Sequence, residues 1–426
     1  MTAARAHRRQ FLKSLAAGAA TAAFPTPLLS QRAGPPVVII GGGFGGASCA
    51  RALRKADPRI AVTLVEANPA YTALPHSSAV IGGLVDLKHQ QFGYDKIKSA
   101  GVTVALSAAT AIDPQKRTVT LADGAQLVYE RLVVSPGIDF RTGSIQGYDK
   151  AAMEAMPPAY SDGAQVALLR RQLEAMSDGG TVVITSPANP ARCPPAPYER
   201  ASLIAHYLKT NKPRSKVVVL DAKENFTMQK MFEAAWQELY PGMIEWVGLS
   251  QGGALTAVDA ASRMLTTDFD KYKAAVANVI PPQKAGRVAD LAGVADRTGW
   301  CPVDAVTFLS KLQPNIHVIG DAAIAGAMPR SASAARSQGQ ICAAAIVALL
   351  AGKTPPAPTM TSSCYSLIAP DYAISQKGTY RPVDDQYTEA EGGPVISPPD
   401  APRATRKAEA HEAEAWYRAI TGEVFG

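Results

Sequence analysis

The chain is 426 residues long and 47% apolar, enough to build two or three domains with real cores. Its net charge of +7 comes from scattered lysines and arginines, with no basic stripe carrying interleaved aromatics, which argues against a nucleic-acid partner. Five cysteines without a C-x-x-C pair and six histidines that do not cluster point away from a metal site.

Residues 1–35 read as a signal and spacer. Arg8-Arg9 is followed by Phe11-Leu12-Lys13, a mildly apolar run from Ser14 to Phe24 and a proline-containing spacer. This is the pattern of a twin-arginine export signal, which carries folded, cofactor-loaded proteins to the periplasm. The run is too short and too weakly apolar for a membrane anchor, and no membrane insertion is expected.

The apolar run Val37–Ile40 then predicts a buried parallel strand. Gly41, Gly43 and Gly46 follow as G-x-G-x-x-G, a helix is expected over Ala47–Lys55, and a second strand, Ile60–Val65, ends in Glu66. Gly41 permits a sharp turn, Gly43 the approach of a pyrophosphate, and Gly46 close packing of helix on sheet. The helix N-terminus offers N–H groups and partial positive charge, and Glu66 is placed for a ribose. A lone glycine fingerprint is weak; strand, glycines, helix, strand and acid in this order predict dinucleotide binding.

The loop Ala67–Ser78 leaves the carboxyl end of that strand, so His76 either reaches the cofactor or has an ordinary structural partner. Val102–Leu106, Thr118–Leu121 and Gln126–Val128 read as an antiparallel excursion, and Arg131–Val134 as a strand returning to Ser135-Pro136-Gly137.

A helix over Gln165–Met176 and the strand Thr181–Ile184 open a second βαβ domain, residues 151–284. Where its glycines would stand are Pro187, Pro190, Pro194, Pro195 and Pro197, with Cys193 and Glu199 among and after them. Prolines fix φ and remove N–H donors, the opposite of a phosphate cradle, so this domain should keep the topology without a nicotinamide nucleotide. Asn278–Lys284 reads as a strand delivering a loop, and Cys301 lies on a second Cys-Pro turn. The strand Ile316–Ile319 ends in Gly320-Asp321, and a small-residue helix runs from Ser331 to Leu350.

The first domain is therefore discontinuous, 36–150 with 285–355, and residues 356–426 form a small C-terminal module whose closing helix, Arg406–Ile420, docks on the body. The fold class is α/β, with two doubly wound dinucleotide-binding-type domains plus this module. In such a fold the turns of Cys193 and Cys301 converge on one cofactor face, either as a redox pair or as two unrelated cysteines. Cys49 and Cys342 sit in small-residue helical runs and read as buried packing.

The stretches Arg192–Ser202, Val279–Gln283, Gly299–Asp304 and Ile319–Ala322 together resemble the flavoprotein subunit of flavocytochrome c sulfide dehydrogenase, a glutathione reductase-like family related to sulfide:quinone oxidoreductases. The resemblance implies FAD, a periplasmic location, a c-type cytochrome partner, and a disulfide beside the flavin, here Cys193–Cys301. It implies that hydrosulfide attacks one sulfur of that disulfide and that two electrons pass to the flavin and leave singly to haem; Cys193 is assigned as the attacked sulfur and Cys301 as the flavin-facing one, while Glu199 either manages protons there or makes a helix-start salt bridge. The expected FAD contacts are Gly41, Gly43, Phe44, Gly46, Glu66, Ala67, Pro136, Gly137, Gly320, Asp321 and Arg330. Many members attach FAD through a cysteine in the loop matching Tyr71–Ser78; this chain has Ala73-Leu74-Pro75 there, so its FAD is expected to be non-covalent. The alternatives are an accessory flavoprotein that activates a sulfur-oxidation system without turnover, and a sulfide:quinone oxidoreductase.

Overall fold

The computed structural model describes residues 34–426; the twin-arginine segment lies outside the described residues. The strand Pro36–Ile40 is central in a five-stranded parallel sheet. The order is Ile316–Val318, Arg131–Val134, Pro36–Ile40, Ala61–Glu66 and Thr103–Leu106. Strand order reverses between Pro36–Ile40 and Arg131–Val134, so a crevice opens at the carboxyl ends of these two strands. The last strand corrects one expectation: Thr103–Leu106 extends the parallel sheet beside Ala61–Glu66 and is no part of the antiparallel excursion. The short helix Asp95–Ser99 precedes it and makes the crossover that a parallel pairing requires. The excursion is built instead from Ala109–Asp113, Thr118–Leu121 and Gln126–Val128.

The helix Phe44–Ala56 starts three residues earlier than expected, so Gly45 and Gly46 lie inside it. It packs on the helix Ala332–Leu350 at very short range: a Cβ on Gly339 would stand 2.4 Å from the Gly45 carbonyl oxygen. Cys49 and Cys342 are fully buried in this contact with their thiols together. Close approach also governs the glycine turn. Gly41 has φ +103°, and a Cβ on Gly46 would stand 1.9 Å from the Gly41 carbonyl oxygen. Gly46→Ala is therefore expected to destabilise by about 1–3 kcal/mol or more and to lower bound flavin per protein, read by thermal unfolding and visible absorbance.

The second sheet is also parallel, with order Ile244–Val247, Lys216–Asp221, Thr181–Ser186 and Val276–Asn278. The expected strand over Asn278–Lys284 is divided. Val276–Asn278 joins this sheet, while Gln283–Ala285 pairs antiparallel with Ile138–Phe140, because Pro281-Pro282 between them cannot donate to a ladder.

The C-terminal residues hold two long strands, Met360–Ala369 and Tyr372–Val383, paired as an antiparallel ribbon. The first is laid along the helices Ala196–Asn211 and Ala332–Leu350. The closing helix, Arg403–Val424, docks on the body: Tyr417 donates to the His89 carbonyl at 3.0 Å, and Phe425 packs on Phe44, Tyr71 and Phe92.

Candidate functional site

A cavity of about 940 Å³ opens at the crevice of the first sheet. Its floor is Gly41–Gly45, one wall is Glu66–Ala67, and the other is Ser135-Pro136-Gly137 with Gly320 and Asp321. The helix Phe44–Ala56 has no side-chain cap and no acid in its first turn, so its N–H groups face the cavity unpaired. Glu66 Oε2 accepts the Gly42 N–H at 2.7 Å and its Oε1 that of Asn68 at 3.0 Å, which holds the carboxylate at the strand end. Asp321 faces Arg192 at 3.1 Å through Oδ2, while its buried Oδ1 has no partner. A bare helix N-terminus, an acid at the end of the second strand and an orphaned carboxylate oxygen on one cavity of about 940 Å³ fit FAD.

Of the expected cofactor contacts, Gly41, Gly43, Phe44, Glu66, Ala67, Pro136, Gly137, Gly320 and Asp321 line this cavity. Gly46 does not; it lies behind the loop against Gly41. Arg330 is a correction. Its guanidinium lies over the Trp300 ring at 4.1 Å and donates to the Asp321 carbonyl at 2.8 Å, so it props the Gly-Asp turn from outside the cavity. His76 lines the cavity, stacked on Tyr417 with centroids 3.7 Å apart, and burial pushes its pKa down to about 4.

The far end of the cavity carries the sulfur atoms, and here the structure overturns the expected pair. The thiols of Cys193 and Cys364 are neighbours, and both line the cavity; among the described residues they are the two cysteines that do. Cys301 is fully buried in the first core and absent from the cavity wall. The reason is local: Cys301-Pro302 forms a two-residue strand parallel to Ala323–Ile324, and this register aims the thiol inward. Burial, then Asp296 and Asp290, push the Cys301 thiol up to about 12, which keeps it protonated. A Cys-Pro turn like that of Cys193 is thus a packing device.

Cys193 is held at φ +49°, a left-handed conformation that costs a non-glycine residue roughly 1–3 kcal/mol. Its N–H donates to the Arg330 carbonyl at 2.8 Å and its carbonyl accepts from Ala196 at 2.9 Å, so both neighbours enforce the turn. The neighbouring Cys364 thiol and then burial raise its pKa. Glu199, three residues into the helix that follows, shares the cavity wall. Its Oε1 accepts the Leu367 N–H at 3.1 Å, and burial, with Cys193 adding to it, raises the carboxyl to about 8. It is therefore a neutral acid at pH 7, poised near a working pH.

Cys364 escaped the sequence reading. It lies in Ser362-Ser363-Cys364-Tyr365-Ser366, with no glycine, proline or flanking charge to mark it. Elimination was the available signal: Cys49 and Cys342 sat in helices, and Cys364 alone had no role.

The second crevice is filled by the chain itself. At the carboxyl ends of Thr181–Ser186 and Lys216–Asp221, the buried Asp221 accepts from Tyr198 at 2.5 Å, Trp246 at 3.0 Å and Lys223 at 2.5 Å. Tyr198 stacks on Phe226 with centroids 3.7 Å apart. The acid that would meet a nucleotide ribose is thus spent on side chains.

Residues 166–281 match the family described as sulfide dehydrogenase [flavocytochrome c] flavoprotein chain, central. Residues 356–425 match flavocytochrome c sulphide dehydrogenase, flavin-binding, and residues 35–169 match pyridine nucleotide-disulphide oxidoreductase. A sulfide dehydrogenase [flavocytochrome c] flavoprotein chain from Chlorobaculum thiosulfatiphilum is 61% identical over 44 residues, 10% of this chain and 92% of that sequence. A mitochondrial sulfide:quinone oxidoreductase from Dictyostelium discoideum is 25% identical over 296 residues, 67% of this chain. That stretch spans 64% of the Dictyostelium protein, less than two thirds of its length. In fold, the chain is similar to the sulfide:quinone oxidoreductase of Aquifex aeolicus, with TM-score 0.72, 16% identity and coverage of 92% and 91% of the two chains. It is also similar to putidaredoxin reductase in its complex with putidaredoxin, with TM-score 0.64, 17% identity and coverage of 92% and 94%.

Proposed function

The chain belongs to the flavocytochrome c sulfide dehydrogenase flavoprotein family, and from that premise we propose that it is a periplasmic, FAD-dependent dehydrogenase that oxidises hydrosulfide and delivers electrons to a c-type cytochrome. The observation that carries this reading is the contact of Cys193 with Cys364 on the wall of the dinucleotide cavity.

Cys193 and Cys364 form the redox disulfide. Hydrosulfide opens it, leaving a persulfide on one cysteine and a thiolate on the other. Glu199, neutral at pH 7 and on the same wall, donates a proton to the released thiolate and recovers it when the sulfur product leaves. The left-handed turn at Cys193 fixes its backbone on the cavity wall that it shares with Cys364. A second hydrosulfide carries the outer sulfur of the persulfide away as a two-sulfur anion and leaves both cysteines reduced; bound FAD would supply the acceptor for their electron pair as the disulfide re-forms and would release it one electron at a time. Glu66, the helix N-terminus at Phe44 and Asp321, all on the cavity wall, would hold its nucleotide, pyrophosphate and sugar-chain ends. The plugged second crevice supports a cycle without a nicotinamide nucleotide.

Adding sulfide anaerobically to the purified holoprotein is expected to bleach the flavin, and a c-type cytochrome to restore its colour. A flavin that stays oxidised overturns the enzyme reading and favours the accessory one. Leu74, an aliphatic residue, stands on the cavity wall in the loop where a linking cysteine would lie. Acid precipitation is accordingly expected to leave the FAD in the supernatant and the pellet colourless.

A further inference from the structure

We infer that hydrosulfide reaches Cys193 from a small polar pocket on the side of that residue away from Cys364, with the Gln283 side-chain amide as its hydrogen-bond donor. The inference rests on the sulfide reading above, with Cys193 attacked as the sequence analysis expects, and adds to it a substrate site and its hydrogen-bond donor.

The pocket has a volume of about 10 Å³, the room of one water-sized species. Cys193, Tyr160 and Arg192 line both this pocket and the large cavity, and so form the wall between them. Cys364 lines the large cavity only. Displacement at a disulfide sulfur runs along the bond that breaks, with the nucleophile opposite the leaving sulfur. For attack on Cys193 with Cys364 leaving, the entering atom must come from the side on which Cys364 does not stand, and that is the side of the small pocket.

Gln283 gives the pocket its polarity. It is 3% exposed, and its Oε1 accepts the Arg192 N–H at 2.8 Å, which fixes the orientation of the amide. The Nε2 group is then left buried without an acceptor on the pocket wall. A buried donor without a partner is costly, and an anion of one heavy atom satisfies it. Lys223 also lines the pocket, but its three protons go to Ser186, the Pro187 carbonyl and Asp221 at 2.7, 2.9 and 2.5 Å. It contributes charge to the pocket, whereas the amide contributes the free donor.

The step balances without a further reactant. The sulfur of HS⁻ bonds to Cys193 Sγ and the Cys193–Cys364 bond breaks. The electron pair of that bond stays on Cys364 Sγ, which becomes a thiolate on the large cavity. Cys193 carries the new S–SH group, whose proton arrived with the hydrosulfide.

One equivalent of sulfide added anaerobically to the oxidised holoprotein, followed by alkylation and peptide mass mapping, tests the proposal. The expected result is one extra sulfur on the Cys193 peptide and a singly alkylated Cys364. Gln283→Glu keeps the oxygen that meets Arg192 and replaces the donor with an acceptor. It is expected to slow flavin bleaching by hydrosulfide about tenfold or more relative to reduction by dithiothreitol, which is too large for the pocket. Extra sulfur on Cys364, or an unchanged ratio in Q283E, overturns the pocket assignment and leaves the sulfide reading standing. If neither cysteine gains sulfur and the flavin is not bleached, both readings fall.

Discussion

Cys364→Ser is expected to abolish hydrosulfide bleaching of the bound flavin, by at least about a hundredfold, while Cys301→Ser leaves it near the wild-type rate. The contrast follows from placement. Cys364 shares the cavity wall with Cys193 and touches its thiol, whereas Cys301 is fully buried in the first core. Serine cannot form the disulfide that hydrosulfide must open, and the described residues offer no third cysteine on that wall. Cys364→Ser replaces a half-buried thiol with a similar hydroxyl, so flavin content and melting temperature should stay close to wild type. Anaerobic stopped-flow spectra of the two variants check the prediction. Equal loss in both would restore Cys301 to the chemistry; loss in Cys301→Ser alone would reverse the assignment.

Glu199→Gln should change both the pH dependence of stability and that of turnover. Burial raises the carboxyl from 4.5 to about 8, so the folded protein keeps a proton that the unfolded chain releases. Across that window the folded state binds more protons than the unfolded state, and unfolding free energy falls as pH rises. The stabilisation is fully present below about pH 4.5 and lost on passing through about pH 8. Its size is on the order of 4 kcal/mol for a shift of this extent. Denaturant unfolding at pH 5 and pH 8.5 should show this slope in the wild type and its flattening in Glu199→Gln. The amide also removes the proton donor, so turnover at pH 7 should fall by about 10²-fold or more and lose its limb near pH 8. A parallel pH profile in the variant would show that Glu199 acts only through its bond to the Leu367 N–H.

The residues that make the dinucleotide half of this molecule announce themselves locally. Val37–Ile40, the three glycines and Glu66 fall within one βαβ unit, and each needs only its sequence neighbours to take its place. The loss of the second fingerprint is equally local, because five prolines between residues 187 and 197 cannot cradle a phosphate in any tertiary setting. Gly320-Asp321 ends a strand whose position beside Arg131–Val134 follows from the doubly wound pattern.

The sulfur pair was decided by packing. Cys193 and Cys301 share a Cys-Pro turn, but a two-residue pairing with Ala323–Ile324 turns Cys301 into the core, and nothing in Gly299–Asp304 encodes that register. Cys364 reaches Cys193 because the Met360–Ala369 strand lies along the helix Ala196–Asn211, which also sets Leu367 on Glu199. Sequence by itself determined that this chain holds a dinucleotide in its first domain and keeps a cysteine and an acid where a second would sit. Tertiary structure alone decided which thiol meets that cysteine, because a contact across some 170 residues is set by how two separately formed elements pack and leaves no periodicity or motif in either.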